Sequence, residues 1–301
     1  MPKLFRRILF VTPPGHGHIF PLISIAWAFR AAGHEVLIAT CGISLSLASH
    51  AGLSHINVAP GQDLLGMFER HKHSFPQSFA RPLQSDDASP SNSNTGSFFI
   101  ALGDAMADGL VQAALKWRAE VIIFTPEAAA GPVAATKLGI PSVFLGIGLA
   151  HTPQSMVENV YPKMNLTSER HGLANISAPA AWIDVAPKSL KAVASNSWPM
   201  RYVPYNGGSL LPLVPSVQNR EPRIAVTLGT VVPLVYGWSP LHWLTMAAQH
   251  VDAEFVIVCG SSGPSVLGEL PANVKTIGWF SLNELLITCN GVIHHGGWVR
   301  Q

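Results

Sequence analysis

Two short stretches rich in histidine and glycine stand out as places where this chain could do chemistry. The first is Pro14-Gly15-His16-Gly17-His18-Ile19-Phe20-Pro21. A neutral imidazole, with an ordinary pKa of about 6.5, accepts a proton at neutral pH, so His18 is a candidate general base. His16, two residues earlier, would point elsewhere. The second stretch is His294-His295-Gly296-Gly297, where the glycines admit a close ligand. Between them lies Thr227-Leu228-Gly229-Thr230. Backbone amides and short hydroxyls at a strand-to-helix turn bind phosphate well, and Gly229 permits close backbone approach. The plain alternatives are a helix-capping histidine and an ordinary tight turn.

Two other chemistries fit less well. A dinucleotide fold needs Gly-x-Gly-x-x-Gly, but here Phe20 stands in the third glycine place, and Thr40 rather than an acid ends the second strand. A zinc site from His16, His18, His294 and His295 is conceivable. However, adjacent histidines rarely share a metal, and no cysteine or carboxylate lies at ligand spacing. No metal is expected.

These residues need a scaffold, and the hydrophobic pattern supplies one. Arg7 to Val11 is a β-branched apolar run ending in Thr12-Pro13-Pro14-Gly15, a buried strand followed by a loop. Pro21 to Ala32 reads as a helix, Glu35 to Thr40 as a strand, Leu45 to Ala51 as a short helix and Ile56 to Val58 as a third strand. Such β-α-β-α-β order is the pattern of a parallel sheet covered by helices. Gln84 to Ser97 reads as a surface loop. A helix is predicted near Phe98 to Arg118, a strand at Val121 to Phe124, a helix at Ala128 to Leu138, a strand at Ser142 to Leu145 and a helix over Met156 to Ala174. The proline-rich segment 206–222 reads as a linker between an N-terminal domain (1–205) and a second β/α domain (223–301). That second domain is predicted to hold strands at 223–227, 255–258, 274–277 and 291–293, with helices at 241–250 and 281–288. Four strands and two or three helices make a small set for a sheet covered on both faces, so the second domain is expected to be incomplete.

Composition narrows the class. The chain has 301 residues, of which 48% are apolar and 12% charged, enough core for two domains. With 19 basic and 17 acidic residues, no nucleic-acid stripe or membrane patch is indicated. No uninterrupted apolar run reaches the roughly 18 residues that span a bilayer. Three scattered cysteines, Cys41, Cys259 and Cys289, fit a reducing cytoplasm better than a disulfide framework.

Three segments in register resemble the natural-product glycosyltransferases of the GT-B fold, in particular those that decorate enediyne, macrolide and other polyketide antibiotics. They are Pro14 to Pro21, Thr227 to Thr230, and Gly278-Trp279-Phe280-Ser281-Leu282 through Val292-Ile293-His294-His295-Gly296-Gly297. The resemblance runs from Ile8 to Gly297. It implies an α/β protein of two facing Rossmann-like β/α/β domains, the acceptor held by the first and the nucleotide sugar by the second. It also implies transfer of a (deoxy)sugar, TDP-linked in antibiotic pathways, to a hydroxyl of a hydrophobic aglycone, with inversion. The sugar nucleotide is a co-substrate, and no resident cofactor or metal is implied. The expected partners are these two small molecules. A homodimer is compatible with this reading, and no nucleic acid is expected.

On this resemblance His18 is the base. In the family an acidic residue near the end of the strand at 121–124 often orients it, but that position falls at Thr125, and the nearest carboxylate is Glu127. Either Glu127 substitutes or the dyad is absent. The donor set implied is Gly17, Thr227, Gly229, Thr230, Trp279, His294, His295, Gly296 and Gly297, with Trp279 at the nucleobase and His295 at the diphosphate. Phe68, Phe75, Phe79, Met156 and Tyr161 lie in irregular stretches that would roof the acceptor pocket. Most of these aromatic residues, Trp279 included, could equally be ordinary packing. After the glycines, Trp298-Val299-Arg300 departs from the family's Gly-Thr helix start. Weak or absent activity is therefore expected of the chain as it stands, and a truncated, non-catalytic or accessory homologue is the second reading.

Overall fold

The computed structural model describes residues 6–71, 95–147, 154, 158, 160–187, 189, 197–208, 222–260 and 264–296. The chain divides into two compact units, Met1–Tyr205 and Asn206–Gln301. Of the expected linker, residues 209–221 lie outside the described ones.

In the N-terminal unit the elements run β1 (Arg7–Val11), α1 (His16–Ala31), β2 (Glu35–Thr40), α2 (Ile43–His50), β3 (His55–Asn57), α3 (Leu64–His71), α4 (Thr95–Trp117), β4 (Val121–Phe124), α5 (Ala130–Leu138), β5 (Ser142–Leu145), α6 (Asn165–Arg170), β6 (Ala181–Asp184) and β7 (Ser197–Pro199). The strands form one seven-stranded sheet in the order β3-β2-β1-β4-β5-β6-β7. Every pair is parallel. Helices cover such a sheet on both faces, which is why its central strands read as unbroken apolar runs. Ile8, Leu9, Phe10, Val11, Ile122, Ile123 and Phe124 are all buried. Chain order reverses at β1. The chain leaves β1 for β2 and β3 on one side, then returns to start β4 on the other.

The sheet is wider than the sequence pattern indicates, because β6 and β7 are short and β7 carries Pro199. Proline is tolerated there because β7 is an edge strand. Helix α1 begins at His16 rather than Pro21, so Pro21 lies inside it and does not end it. Of the helix expected over Met156 to Ala174, the described residues from 160 on form a 3₁₀ turn, Tyr161–Met164, followed by α6. Pro162 stands at the head of that turn, and a proline inside a continuous helix would remove a hydrogen bond.

Within α4, Ser97–Trp117 has the length and mean hydropathy, 1.4, of a membrane-spanning segment. Its apolar side is taken up by the core of this unit, with Leu102, Met106 and Leu110 at 1% exposure or less. Its Asp104 and Asp108 pair with Arg170 at 2.8 and 3.1 Å. Gly109 of α4 lies so close to the Val58 carbonyl that no Cβ fits between them.

The C-terminal unit contains β8 (Arg223–Thr227), α7 (Val232–Tyr236), α8 (Ser239–Ala248), β9 (Glu254–Val258), β10 (Val274–Ile277), α9 (Leu282–Leu286) and β11 (Gly291–His294). Its sheet is four-stranded and parallel, in the order β10-β9-β8-β11. Successive strand residues point to opposite faces and feed two cores. Val226, Phe255 and Ile257 join Leu241 of α8, while Ala225 and Val256 join Phe280, Leu282 and Leu285.

At the amino-terminal edge of this sheet the Glu254 carboxylate lies between the Arg223 guanidinium and Lys275, the latter at 2.6 Å. Burial alone would raise its pKa, but hydrogen bonds from Lys275 and Arg223 outweigh it and hold the carboxyl below its usual range. A depressed folded pKa stabilises the fold above the unfolded carboxylate value, about 4.3, and that stabilisation is lost as pH falls through the folded value. Glu254→Ala strands the buried Arg223 charge and is expected to cost about 3 kcal/mol. Urea denaturation at pH 7 measures that loss, and the variant should lack the wild type's acid-side decline from this group.

Candidate active site

The loops after β1 and β4 lie side by side because those strands pair, Val11 opposite Phe124. This is where strand order reverses, the position at which open α/β sheets bind ligands beyond their carboxyl ends. Gly15 begins the first loop's turn into α1, with φ 130°. Its amide donates to Ser44 Oγ at 2.9 Å, and its carbonyl accepts the amides of His18 and Ile19 at 3.1 Å each. His18 is thereby set in the first turn of α1.

The second loop is a β-turn, Thr125-Pro126-Glu127-Ala128, closed by the Ala128 amide donating to the Thr125 carbonyl at 3.0 Å. Pro126 at the second position pre-sets such a turn. Thr125 is 1% exposed, and its hydroxyl donates to Thr12 Oγ1 at 3.4 Å. Glu127, two residues on, carries its Oε2 to 3.5 Å from His18 Nδ1. That separation is an ion-pair contact, longer than a tight hydrogen bond. His18 and Glu127 side chains are 22% and 14% exposed, so both are sheltered yet reachable.

His16 faces Phe20 edge-on at 5.3 Å, and burial lowers its pKa. A group absent from the sequence reading borders the site. Phe99 of α4 lies edge-to-face on the His18 ring, with centroids 5.3 Å apart and planes at 76°. Phe68 joins this cluster through Phe98, the 68–98 and 98–99 pairs being 6.0 and 5.2 Å apart. The visible signal was the Phe98-Phe99 pair opening a helix after an irregular stretch. Tyr161 is 7% exposed in its 3₁₀ turn, its hydroxyl has no hydrogen-bond partner among the described residues, and burial pushes its phenol pKa up. Phe75, Phe79, Met156 and Gly297 lie outside the described residues.

The C-terminal unit repeats the arrangement at its own reversal point, where β8 pairs with β11 and Thr227 stands opposite His294. The following loops bring Gly229 and His295 together. A Cβ built on Gly229 would lie 2.5 Å from His295 Cε1, and Gly229 has φ 75°. The Gly229 amide donates to Thr227 Oγ1 at 3.4 Å, and the Gly296 amide to His294 Nδ1 at 3.1 Å. His295 is exposed and Thr230 half-buried. Helix α7, after this turn, has only five residues and adds little dipole. Trp279 follows β10, two strands from β8, roughly 10 Å away at ordinary strand spacing. It is 41% exposed while its neighbour Phe280 fills the core at 8%. Gly17 belongs to the N-terminal unit, exposed in the first turn of α1. Among the described residues, no three His, Cys, Asp or Glu side chains converge to hold a metal ion.

The sequence matches the family described as erythromycin biosynthesis protein CIII-like, its N-terminal domain over residues 27–229 and its C-terminal domain over 242–299. It is 35% identical to the elloramycin glycosyltransferase ElmGT of Streptomyces olivaceus over 97% of this chain and 75% of that protein. The glycosyltransferase SnogD from Streptomyces nogalater matches with a TM-score of 0.78 at 34% identity, over 98% of this chain and 77% of that one. The spinosyn rhamnosyltransferase SpnG is 26% identical with a TM-score of 0.76, over 97% of this chain. Its structures with thymidine diphosphate and with spinosyn aglycone are covered to 76% and 75% of their length. Two doubly wound units of this kind, similar throughout to such enzymes, define a GT-B glycosyltransferase. The chain belongs to the erythromycin biosynthesis protein CIII-like family, among the glycosyltransferases of antibiotic biosynthesis.

Gly15 is indispensable to the site's geometry. A Cβ there would sit 3.2 Å from His18 Cδ2, on a backbone with φ 130° that side chains rarely adopt. Gly15→Ala is expected to cost about 1–3 kcal/mol. It should also displace the His18 ring, shifting that residue's NMR signals. Unchanged melting and unchanged signals would show that the loop absorbs the methyl group.

Proposed function

We propose that this protein transfers a deoxysugar from a thymidine diphosphate donor to a hydroxyl of a hydrophobic secondary-metabolite aglycone, with inversion. The observation that carries the reading is the His18–Glu127 pair at 3.5 Å, at the strand-order reversal of the N-terminal unit. With Nδ1–H directed at the carboxylate, the imidazole lone pair is left on Nε2. His18 Nε2 takes the proton of the acceptor hydroxyl as its oxygen attacks the anomeric carbon. The bond from that carbon to the diphosphate oxygen breaks, and the electron pair leaves with the diphosphate. Attack from the face opposite the leaving group inverts the centre. Glu127 orients the imidazole and stabilises the imidazolium that forms.

In the C-terminal unit the backbone at Gly229, the Thr230 hydroxyl and His295 would hold the leaving diphosphate, where charge develops during transfer. Trp279, exposed at the carboxyl edge of the same sheet, would stack on the pyrimidine. The SpnG complexes with thymidine diphosphate and with an aglycone support both ligand classes by similarity. Phe68 and Phe98 give the acceptor side an apolar wall. No resident metal or cofactor has a part in this scheme. Cys41, Cys259 and Cys289 are free thiols, in keeping with work in a reducing cytoplasm.

Incubation with a TDP-deoxysugar and a panel of polyketide aglycones tests the reading. His18→Ala is expected to lower kcat by about 10²–10⁴-fold while leaving acceptor binding intact. Glu127→Gln should reduce kcat by about 10–100-fold, the usual effect of losing an orienting partner. Full activity in His18→Ala would remove the base assignment. For the donor site, Gly229→Ala drives its new methyl into the His295 ring. Its affinity for TDP, measured by calorimetry, should fall about tenfold, close to the worth of one charge-assisted hydrogen bond. Equal TDP affinity would place the diphosphate elsewhere.

A further inference from the structure

The Glu127 contact leaves the His18 ring incompletely defined. At 3.5 Å the carboxylate selects which nitrogen faces it, but the second torsion of a histidine side chain is broad and roughly two-fold, so a long contact does not set the plane of the ring. On the Cδ2 edge the ring meets the backbone at Gly15, where even a methyl group would come within 3.2 Å. Another neighbour of the ring is aromatic. The Phe99 ring meets it at 5.3 Å with the planes 76° apart, an edge-to-face arrangement in which rotation of the imidazole would break the contact.

Phe99 is itself held. Phe98, its neighbour on α4, packs against it at 5.2 Å and is 9% exposed. Phe98 in turn meets Phe68 of α3 at 6.0 Å and His71 at 5.9 Å. Farther along α4, Gly109 seats the helix directly on the Val58 carbonyl at the end of β3. The ladder Phe68–Phe98–Phe99 therefore ends on His18, and its Phe98 and Phe99 stand on a helix seated at the end of β3.

We propose that Phe99 is a positioning residue for the transfer reaction: it holds the plane of the His18 imidazole so that Nε2 meets the acceptor hydroxyl. This rests on His18 as the base. The competing role for Phe99 is a mere wall of the acceptor pocket, and the two separate kinetically. A wall residue contributes to acceptor binding and moves KM, whereas a residue that aligns the base acts in the transition state and moves kcat.

The experiment compares Phe99→Leu and Phe99→Tyr with wild type in steady-state kinetics with a TDP-deoxysugar and an accepted aglycone, and in NMR spectra of the His18 ring protons. Those signals are assigned by their disappearance in His18→Ala. Phe99→Leu is expected to lower kcat about tenfold with acceptor KM nearly unchanged, the scale of one lost aromatic pair. It should also remove the ring-current displacement of the His18 signals. Phe99→Tyr keeps a ring and should restore both. An unchanged kcat with a raised acceptor KM, or unmoved His18 signals, overturns the proposal and leaves Phe99 as pocket lining. If Phe99→Leu melts below the assay temperature, Phe99→Met, closer in volume, carries the same comparison. Retained activity in His18→Ala would instead refute the base assignment, whatever Phe99→Leu does, so the two failures are told apart.

Discussion

The parallel pairing of β1 with β4 is the constraint on which the N-terminal site depends. A parallel strand cannot be reached by a tight turn. The chain must cross over through a helix, so neighbours in the sheet are often distant in sequence. Because the first crossovers carry the chain from β1 to β2 and β3 on one side, β4 returns to the vacant flank of β1. The loops following β1 and β4 then open onto opposite helix layers and leave a crevice between them. His18 rises from one wall of that crevice and Glu127 from the other. Neither would have a partner if β4 paired on the far side of β3.

The C-terminal unit solves the same problem with fewer strands. There β11 returns to the open flank of β8, and the loops after the two strands bring Gly229 and His295 into contact. The chemistry differs because the side chains differ. The first crevice presents an imidazole backed by a carboxylate, suited to moving a proton. The second presents backbone amides, a hydroxyl and an exposed imidazole beside glycines, suited to receiving an anion. One topological rule, used twice, gives two crevices of different chemical character.

Packing decides which residues are available to that chemistry. In Trp279-Phe280 the phenylalanine enters the core with Ala225 and Leu285, leaving the tryptophan outside. In Thr125-Pro126-Glu127 the threonine turns inward to Thr12, and the turn closed behind the proline lifts the glutamate to the rim. The glycines matter where space runs out. Gly15 makes room for the His18 ring and Gly229 for that of His295, and both hold positive φ angles that other residues rarely adopt.

Much of this was legible in the residues themselves. The apolar runs and glycine punctuation indicate the β/α alternation, the break near residue 206, and the loops on which Gly229 and His295 stand, because these depend on short-range periodicity and turn chemistry. What the residues leave open is everything that rests on pairing across the chain. That Glu127 comes within 3.5 Å of His18 depends on a β-turn whose Thr125 contacts Thr12, 113 positions away. Phe99 gains its place beside His18 from the packing of α4 on the β3 end. Strands β6 and β7 are too short to announce themselves without neighbours to pair with. Local pattern encodes which segments become strands and helices, but strand order is a global property of the sheet, and the crevice residues meet only once that order exists.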